Sequence, residues 1–314
     1  LEKLNYLKRL LWQCLKLMKK IKLLLISLIL FSTSLCAEII NVTILGSGNP
    51  RPHVNKYGPS ILVKTNEYNL IFDVGRATLI RLKQVGLNVS DIDKIFISHM
   101  HFDHIVGLPD VWLTAKLWQK ESLNVYGPKG LKKFCSDMIE LYKIDARYRN
   151  KGNLSLKCNE DLHNVELKED LIVKRFSVNH GHVRNAYGYE IIHKGKKIVY
   201  SGDTTISDNL IERAKGADVL IHEIIYAPDD FIEKNKRFQK VYKSHTNVEQ
   251  IIKILNITKP KLAVITHDLI FFESPKNILK MIKDKYNGEI IFAEDLTSFD
   301  IGNTINKFNY ESYR

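Results

Sequence analysis

The sequence predicts a mixed α/β fold with helices packed outside two sheets, and three observations predict it. Short β-rich runs alternate with stretches of helical apolar spacing from Ile39 onward. No Gly/Ser-rich or Pro-rich linker, internal repeat or low-complexity tract interrupts the 314 residues, so a single layered domain is expected. Ligand-type side chains recur immediately beyond apolar β runs, where α/β folds gather their sites.

Taken in order, Ile39–Leu45 is β-rich and ends in the turn cluster Gly46-Ser47-Gly48-Asn49-Pro50. Ser60–Lys64 and Leu70–Phe72 read as short strands, and Thr78–Val85 as a helix ended by Gly86. Lys94–Ser98 is a buried strand, and Ile105–Trp118 has helical spacing. Leu123–Tyr126 is a strand stopped by Gly127-Pro128, and Leu131–Tyr142 a helix. Leu171–Val178, Tyr187–His193 and Lys197–Tyr200 follow as strands. Asn209–Ala214 and Asn247–Leu255 are helical, and Val219–Ile221, Leu262–Ile265 and Ile290–Phe292 are strands.

Residues 1–37 stand apart. Met18-Lys19-Lys20-Ile21-Lys22 is basic, Leu23 to Phe31 is apolar, and Ser32 to Ala37 is mostly small. That is the order of a secretory signal peptide, so translation is expected to start at Met18 and the protein to be exported, to the periplasm. The apolar run is short for a membrane span. An amphipathic anchor through Lys3–Lys22 is the alternative, and lipidation at Cys36 a weaker one, Leu35 being large for that role. The expected domains are thus 1–37, extension and leader, and 38–314, catalytic. Without 1–37 the chain holds 40 Lys/Arg against 34 Asp/Glu, a net of +6 instead of +12, with no concentrated basic tract. Cys135 and Cys158 lie in no CxxC pair, which argues against a cysteine zinc site. They either pair as a disulfide in an oxidising compartment or stay as two thiols.

The strongest chemical signal is Ser98-His99-Met100-His101-Phe102-Asp103-His104-Ile105-Val106-Gly107. In an extended turn, His99 and His101 can point one way into a cleft, while Asp103 and His104 close the turn at a helix start and face a second point. Imidazole and carboxylate are the ligands that zinc and its borderline neighbours accept. Four residues cannot fill two metal shells. His180, Asp203, Glu223 and His267 are the further candidates, each just beyond an apolar β run.

In that order these residues resemble the metallo-β-lactamase-fold hydrolases. Ser201-Gly202-Asp203-Thr204, His222-Glu223, Ser244-His245-Thr246 and Thr266-His267 resemble the ribonuclease Z-like branch over about 39–302. Leu45 to Pro52, Gly107 to Thr114 and Ala186-Tyr187-Gly188-Tyr189 look most like its arylsulfatase-type members. The resemblance implies a four-layer αββα sandwich with metals at one sheet edge. It assigns His99, His101 and His180 to one metal, Asp103, His104 and His267 to the other, and Asp203 as the bridge. A bridging carboxylate suits two cations about 3.5–4 Å apart, with a water between them that loses its proton near neutral pH. His182 competes with His180, which fits the family's offset from Ala186-Tyr187-Gly188-Tyr189 better. Asp103, Glu223 and His245 are assigned to catalysis, the last two as a carboxylate–histidine pair that protonates the leaving oxygen or else supports the metal site. Asp73 is read as supporting a ligand or forming a turn, His222 as structural, and His53, His163 and His193 as surface residues. Tyr142–Arg149, aromatic and basic, is read as a solvated helix end rather than a substrate contact.

The implied function is a binuclear hydrolase of sulfate or phosphodiester bonds, with two divalent ions, zinc by default and manganese or iron as substitutes, acting on a small-molecule ester. Transfer-RNA 3′ processing is the runner-up. The leader segment and the lack of a long Gly/Pro-rich insertion that could grasp RNA argue against nucleic acid. Lactone or β-lactam hydrolysis on the same fold stays open, as does a non-catalytic metal-binding role. A redox di-iron function fits poorly, because such sites favour Glu where His101 stands. A homodimer is compatible, and the membrane enters only through the leader.

Overall fold

The computed structural model describes residues 12, 15–22, 39–118, 121–148, 155–161, 164–168 and 170–310. The chain divides into two compact units, Leu1–Glu38 and Ile39–Arg314. In the first, residues 15–22 are helical and exposed. The expected leader's apolar and small-residue stretches, 23–37, lie outside the described residues, as does His163. Among the described residues no helix is long and apolar enough to cross a membrane.

In the second unit, the described strands form two mixed sheets. The eight-stranded sheet has the order β15-β14-β1-β2-β3-β4-β5-β6. Its strands are β1 Ile40–Gly46, β2 Ser60–Lys64, β3 Asn69–Phe72, β4 Lys94–Phe96, β5 Ser122–Tyr126, β6 Ser155–Asn159, β14 Thr297–Ile301 and β15 Ile305–Asn309. The seven-stranded sheet has the order β13-β12-β11-β10-β9-β8-β7. It contains β7 Asn164–Glu166, β8 Leu171–Ser177, β9 Tyr187–His193, β10 Lys196–Tyr200, β11 Val219–Tyr226, β12 Leu262–Ile270 and β13 Ile290–Phe292. The described helices are α1 Thr78–Gln84, α2 Phe102–Ile105, α3 Leu108–Leu117, α4 Leu131–Leu141, α5 Lys143–Tyr148, α6 Asp208–Ala214, α7 Asp229–Lys234, α8 Lys236–Ser244, α9 Val248–Thr258 and α10 Pro275–Lys283.

Side-chain alternation along the strands separates three apolar layers. Ile40, Val42 and Ile44 of β1 meet Tyr189, Ile198, Tyr200, Ile221 and Val264 between the sheets. Leu62, Ile71 and Ile95 face the other way, onto Leu82, Val111, Trp112 and Met138 of the helices outside the first sheet. Val199, Leu220, Ala263 and Ile265 face Leu210, Ile251, Leu255 and Ile278 outside the second. The chain is therefore a four-layer αββα sandwich. Burial on both faces explains why runs such as Lys197–Tyr200 read as almost continuously apolar.

Three local expectations change. The helix expected over Ile105–Trp118 is split into α2 and α3 at Val106-Gly107. Gly107 donates its N–H to the Val74 carbonyl at 2.9 Å, and a Cβ there would meet the Gly75 carbonyl oxygen at 2.3 Å. The strands expected to end at Ile221 and Ile265 run on to Tyr226 and Ile270. A register shift between His222 and Ile224 carries the parallel ladder past the polar residues that made the runs look finished. His193, expected at the surface, is buried on β9. Cys135 on α4 and Cys158 on β6 form a disulfide.

Candidate metal centre

The site forms where the ends of both sheets meet. The sheets are joined beside it by the Tyr187 N–H donating to the Ser98 carbonyl at 3.0 Å and the Tyr189 hydroxyl donating to the Ile97 carbonyl at 2.7 Å. From the first sheet, β4 leads through Ser98 and His99 into α2, which carries Asp103 and His104. His101 caps α2 and is solvent-exposed, whereas His99, Asp103 and His104 are buried. From the second sheet, His180 follows β8, Asp203 follows β10, Glu223 lies within β11 and His267 within β12. Gly202 presents Asp203: its φ is +57°, and a Cβ there would meet the Tyr187 carbonyl oxygen at 2.6 Å. His267 has φ 48° inside its strand, and its N–H donates to the Ser47 carbonyl at 2.9 Å.

Two groups of ligand atoms result, His99/His101/His180/Asp203 and Asp103/His104/His267, each with its atoms within 4.8 Å of one another. Asp203 Oδ2 lies between them, 3.7 Å from His99 Nε2, 3.4 Å from His104 Nε2, 3.9 Å from His180 Nε2 and 3.5 Å from His267 Nε2. Asp103 Oδ2 is 3.3 Å from His267 Nε2. His182 is exposed at the rim of the adjoining cleft and outside both groups.

The donor set fits divalent cations. His99 Nδ1 is 3.0 Å from the Ser98 hydroxyl, His104 Nδ1 2.8 Å from Asp73 and His180 Nδ1 2.9 Å from the Ser244 carbonyl. These three outer nitrogens are thus engaged, as in histidines that ligate metals, whereas His267 Nδ1 is buried without a hydrogen-bond partner. The inner atoms His99 Nε2, His104 Nε2 and Asp203 Oδ1 are buried without a hydrogen-bond partner, which is costly unless a cation satisfies them. Burial alone would raise the Asp203 carboxyl, yet His267, His104 and His99 hold it well below the usual carboxylate range. Burial and the neighbouring His104 push His99 well below the ordinary imidazole value, towards the neutral ligand form.

Asp73 does more than form a turn. Its buried carboxylate accepts from the Ser98 N–H at 2.6 Å, the Ser98 hydroxyl at 2.7 Å, the Tyr200 hydroxyl at 2.6 Å and His104. Sequence reasoning gave Ser98 and Tyr200 no part in this network, and only their positions at strand ends could have signalled it.

Beside the two groups lies the second unit. Glu223 Oε1 accepts from His245 Nδ1 at 3.0 Å, the Thr204 N–H at 3.1 Å and the Thr246 N–H at 3.2 Å. Burial lowers the His245 imidazole, but the Glu223 charge and hydrogen bond outweigh it and raise it to about 9. The ring also converges with Asp203 and His267. A cleft of about 540 Å³ opens over the site, lined by His101, Phe102, His180, Asp203 and His245 and walled by Pro50, Val183 and Leu269 on its apolar side. The described part of Tyr142–Arg149 does not line it. His53 is exposed, and His222 is fully buried with Nδ1 2.7 Å from the Glu223 carbonyl.

Comparison with known proteins fits this geometry. A family model described as "Anti-Pycsar protein Apyc1" matches residues 40–234. Ribonuclease Z of Mycolicibacterium gilvum is 28% identical over 242 residues, 73% of this chain and 84% of the relative. The short form of human tRNase Z superposes with a TM-score of 0.62 at 25% identity, over 82% of this chain and 98% of that one. The metallo-β-lactamase fold protein YhfI from Bacillus subtilis gives 0.68 at 20% identity, over 84% and 100%.

Proposed function

The chain belongs to the anti-Pycsar protein Apyc1 family and is a metal-dependent hydrolase of ester bonds with the metallo-β-lactamase fold, and from that premise we propose that its bond is a phosphodiester. The observation that carries the reading is the convergence of seven ligand-type side chains in two groups, with Asp203 of the first also 3.4 Å from His104 Nε2 and 3.5 Å from His267 Nε2 of the second, beside a buried Glu223–His245 pair. His99, His101 and His180 would hold one cation, Asp103, His104 and His267 the other, with Asp203 on both, and zinc is the natural ion for this donor set. When bound, such ions supply an activated water and neutralise charge on the phosphoryl oxygens.

The chain's own residues do the rest. Asp103 and Asp203 place two carboxylates in the lining of the cleft. Glu223 orients the His245 ring and keeps it protonated, so His245 donates to the leaving oxygen. Phe102, Pro50, Val183 and Leu269 give the organic part of an ester an apolar wall to pack against.

RNA is the second reading, favoured by the relatives named ribonuclease Z. They weigh against setting nucleic acid aside on the strength of the leader and the missing insertion. The same relatives lend nothing to sulfate esters. Zinc-loaded protein should be offered bis(p-nitrophenyl) phosphate, p-nitrophenyl sulfate, a lactone and a precursor transfer RNA in parallel. Turnover of the phosphodiester is expected. Turnover of the lactone or the sulfate alone would overturn the proposal, and turnover of the RNA alone would leave the second reading.

Export belongs to the same proposal. The leader pattern near 18–37 and the Cys135–Cys158 disulfide both suit an oxidising compartment. Mass spectrometry of exported protein should find a start near Glu38, and an intact Leu1 would contradict it.

A further inference from the structure

Helix α8 turns one face to the cleft. Arg237, Lys240, Val241 and Ser244 line it, the i, i+3, i+4, i+7 spacing of a single helical stripe. Phe238 packs elsewhere, with Ile225, Ala227 and Leu269, and fixes the rotation of the helix. The stripe runs directly into His245, the residue that caps α8. At 1.5 Å per residue, Lys240 and Arg237 lie about 7 and 12 Å back along the axis from His245.

Both cations are exposed, and neither makes an ion pair among the described residues, whereas Lys234 in the preceding helix is paired with Asp230. Among the described residues, the only carboxylates lining the cleft are Asp103 and Asp203, already surrounded by histidines. A file of two unpaired cations leading away from the proton donor is arranged for an anion on the leaving-group side. Arg offers a planar fork that matches phosphate, and Lys adds a mobile point charge.

We propose that Arg237 and Lys240 form an anion subsite for the leaving group, so that the preferred phosphodiesters are those whose leaving alcohol carries a second phosphate. This rests on the phosphodiesterase reading above, with His245 protonating the leaving oxygen.

The test uses zinc-loaded full chain and three dinucleotides: thymidylyl-(3′→5′)-thymidine and its 5′- and 3′-terminally phosphorylated forms, with bis(p-nitrophenyl) phosphate as reference. Chromatography of the products shows which terminal phosphate lies on the leaving side. That phosphate should lower KM about tenfold with little change in kcat, the scale of one charged hydrogen bond. The gain should shrink as salt rises from about 50 to about 500 mM. It should vanish in Arg237→Gln/Lys240→Gln and persist in Lys243→Gln, which removes equal charge per residue from the same helix outside the cleft. Thermal unfolding checks that the variants fold. Equal KM for all three dinucleotides, survival of the gain in the double variant, or its loss in Lys243→Gln would overturn the subsite. Failure to hydrolyse any of the four diesters would instead remove the phosphodiesterase reading, and this inference with it.

Discussion

The two halves of the metal centre are built differently. The Asp103/His104/His267 half is buried throughout, and His104 is backed by Asp73, a carboxylate that also holds Ser98 and Tyr200. The His99/His101/His180 half includes an exposed His101, and His180 is backed by a backbone carbonyl at the end of α8. A charged, buried support fixes ring orientation and raises ligand basicity more than a neutral carbonyl does. The first half should therefore bind its ion tightly and the second exchangeably. The second half is also the one backed by α8, which lines the cleft, so a bound substrate and the looser ion would meet the same element.

Asp203 lies between the halves, 3.4 Å from His104 and 3.5 Å from His267, and its loss should have the largest effect. Asp203→Ala should abolish phosphodiester hydrolysis and bind less than one zinc equivalent by elemental analysis. Retention of both ions would mean that the halves are independent.

Next in size is the loss of the proposed proton donor. His245→Ala should lower kcat on an alkyl phosphodiester by about 10²–10⁴-fold, and far less on bis(p-nitrophenyl) phosphate, whose leaving group is stable without a proton. Zinc content should stay unchanged. Loss of an ion would make His245 a ligand, which its closeness to Asp203 and His267 permits.

The halves themselves are separated by their supports. Asp73→Asn should weaken the tighter ion by about 10–100-fold in chelator competition. His180→Ala should release only the weaker ion, and His182→Ala neither. Equal affinities in the parent protein would contradict the asymmetry.

The smallest effect is a shift in pH profile. His245 is held protonated by Glu223, up to about 9, so activity on alkyl esters should fall as pH rises through that region. Glu223→Gln removes the charge that raises the imidazole, and the alkaline limb should move to lower pH. An unmoved limb would assign it to another group.

How legible these halves were in the sequence also differs. His99, His101, Asp103 and His104 fall within six residues after a buried strand, so chain proximity alone placed them together. The others are separated by long stretches of chain and were found as polar residues interrupting apolar runs, with the resemblance supplying their roles. That rule placed His180 and Asp203 at true strand ends. It misjudged the setting of Glu223 and His267, because a bulge and a left-handed residue let β11 and β12 carry polar groups mid-strand. The layers followed from apolar alternation. The edge strands β6, β7 and β15, the neighbouring β14 and helices α7, α8 and α10 were missed. In α8 the sequence Lys236–Ser244 has few apolar residues, and two of the four residues in its cleft-facing stripe are charged because it faces a cleft rather than a core.

The most direct test of a two-ion centre with unequal halves is zinc stoichiometry measured on the same samples as bis(p-nitrophenyl) phosphate turnover, while a chelator is titrated in. Close to two equivalents per chain are expected, the first lost together with activity and the second retained to higher chelator. Full activity at a stoichiometry near zero would contradict a metal-dependent reaction at this centre.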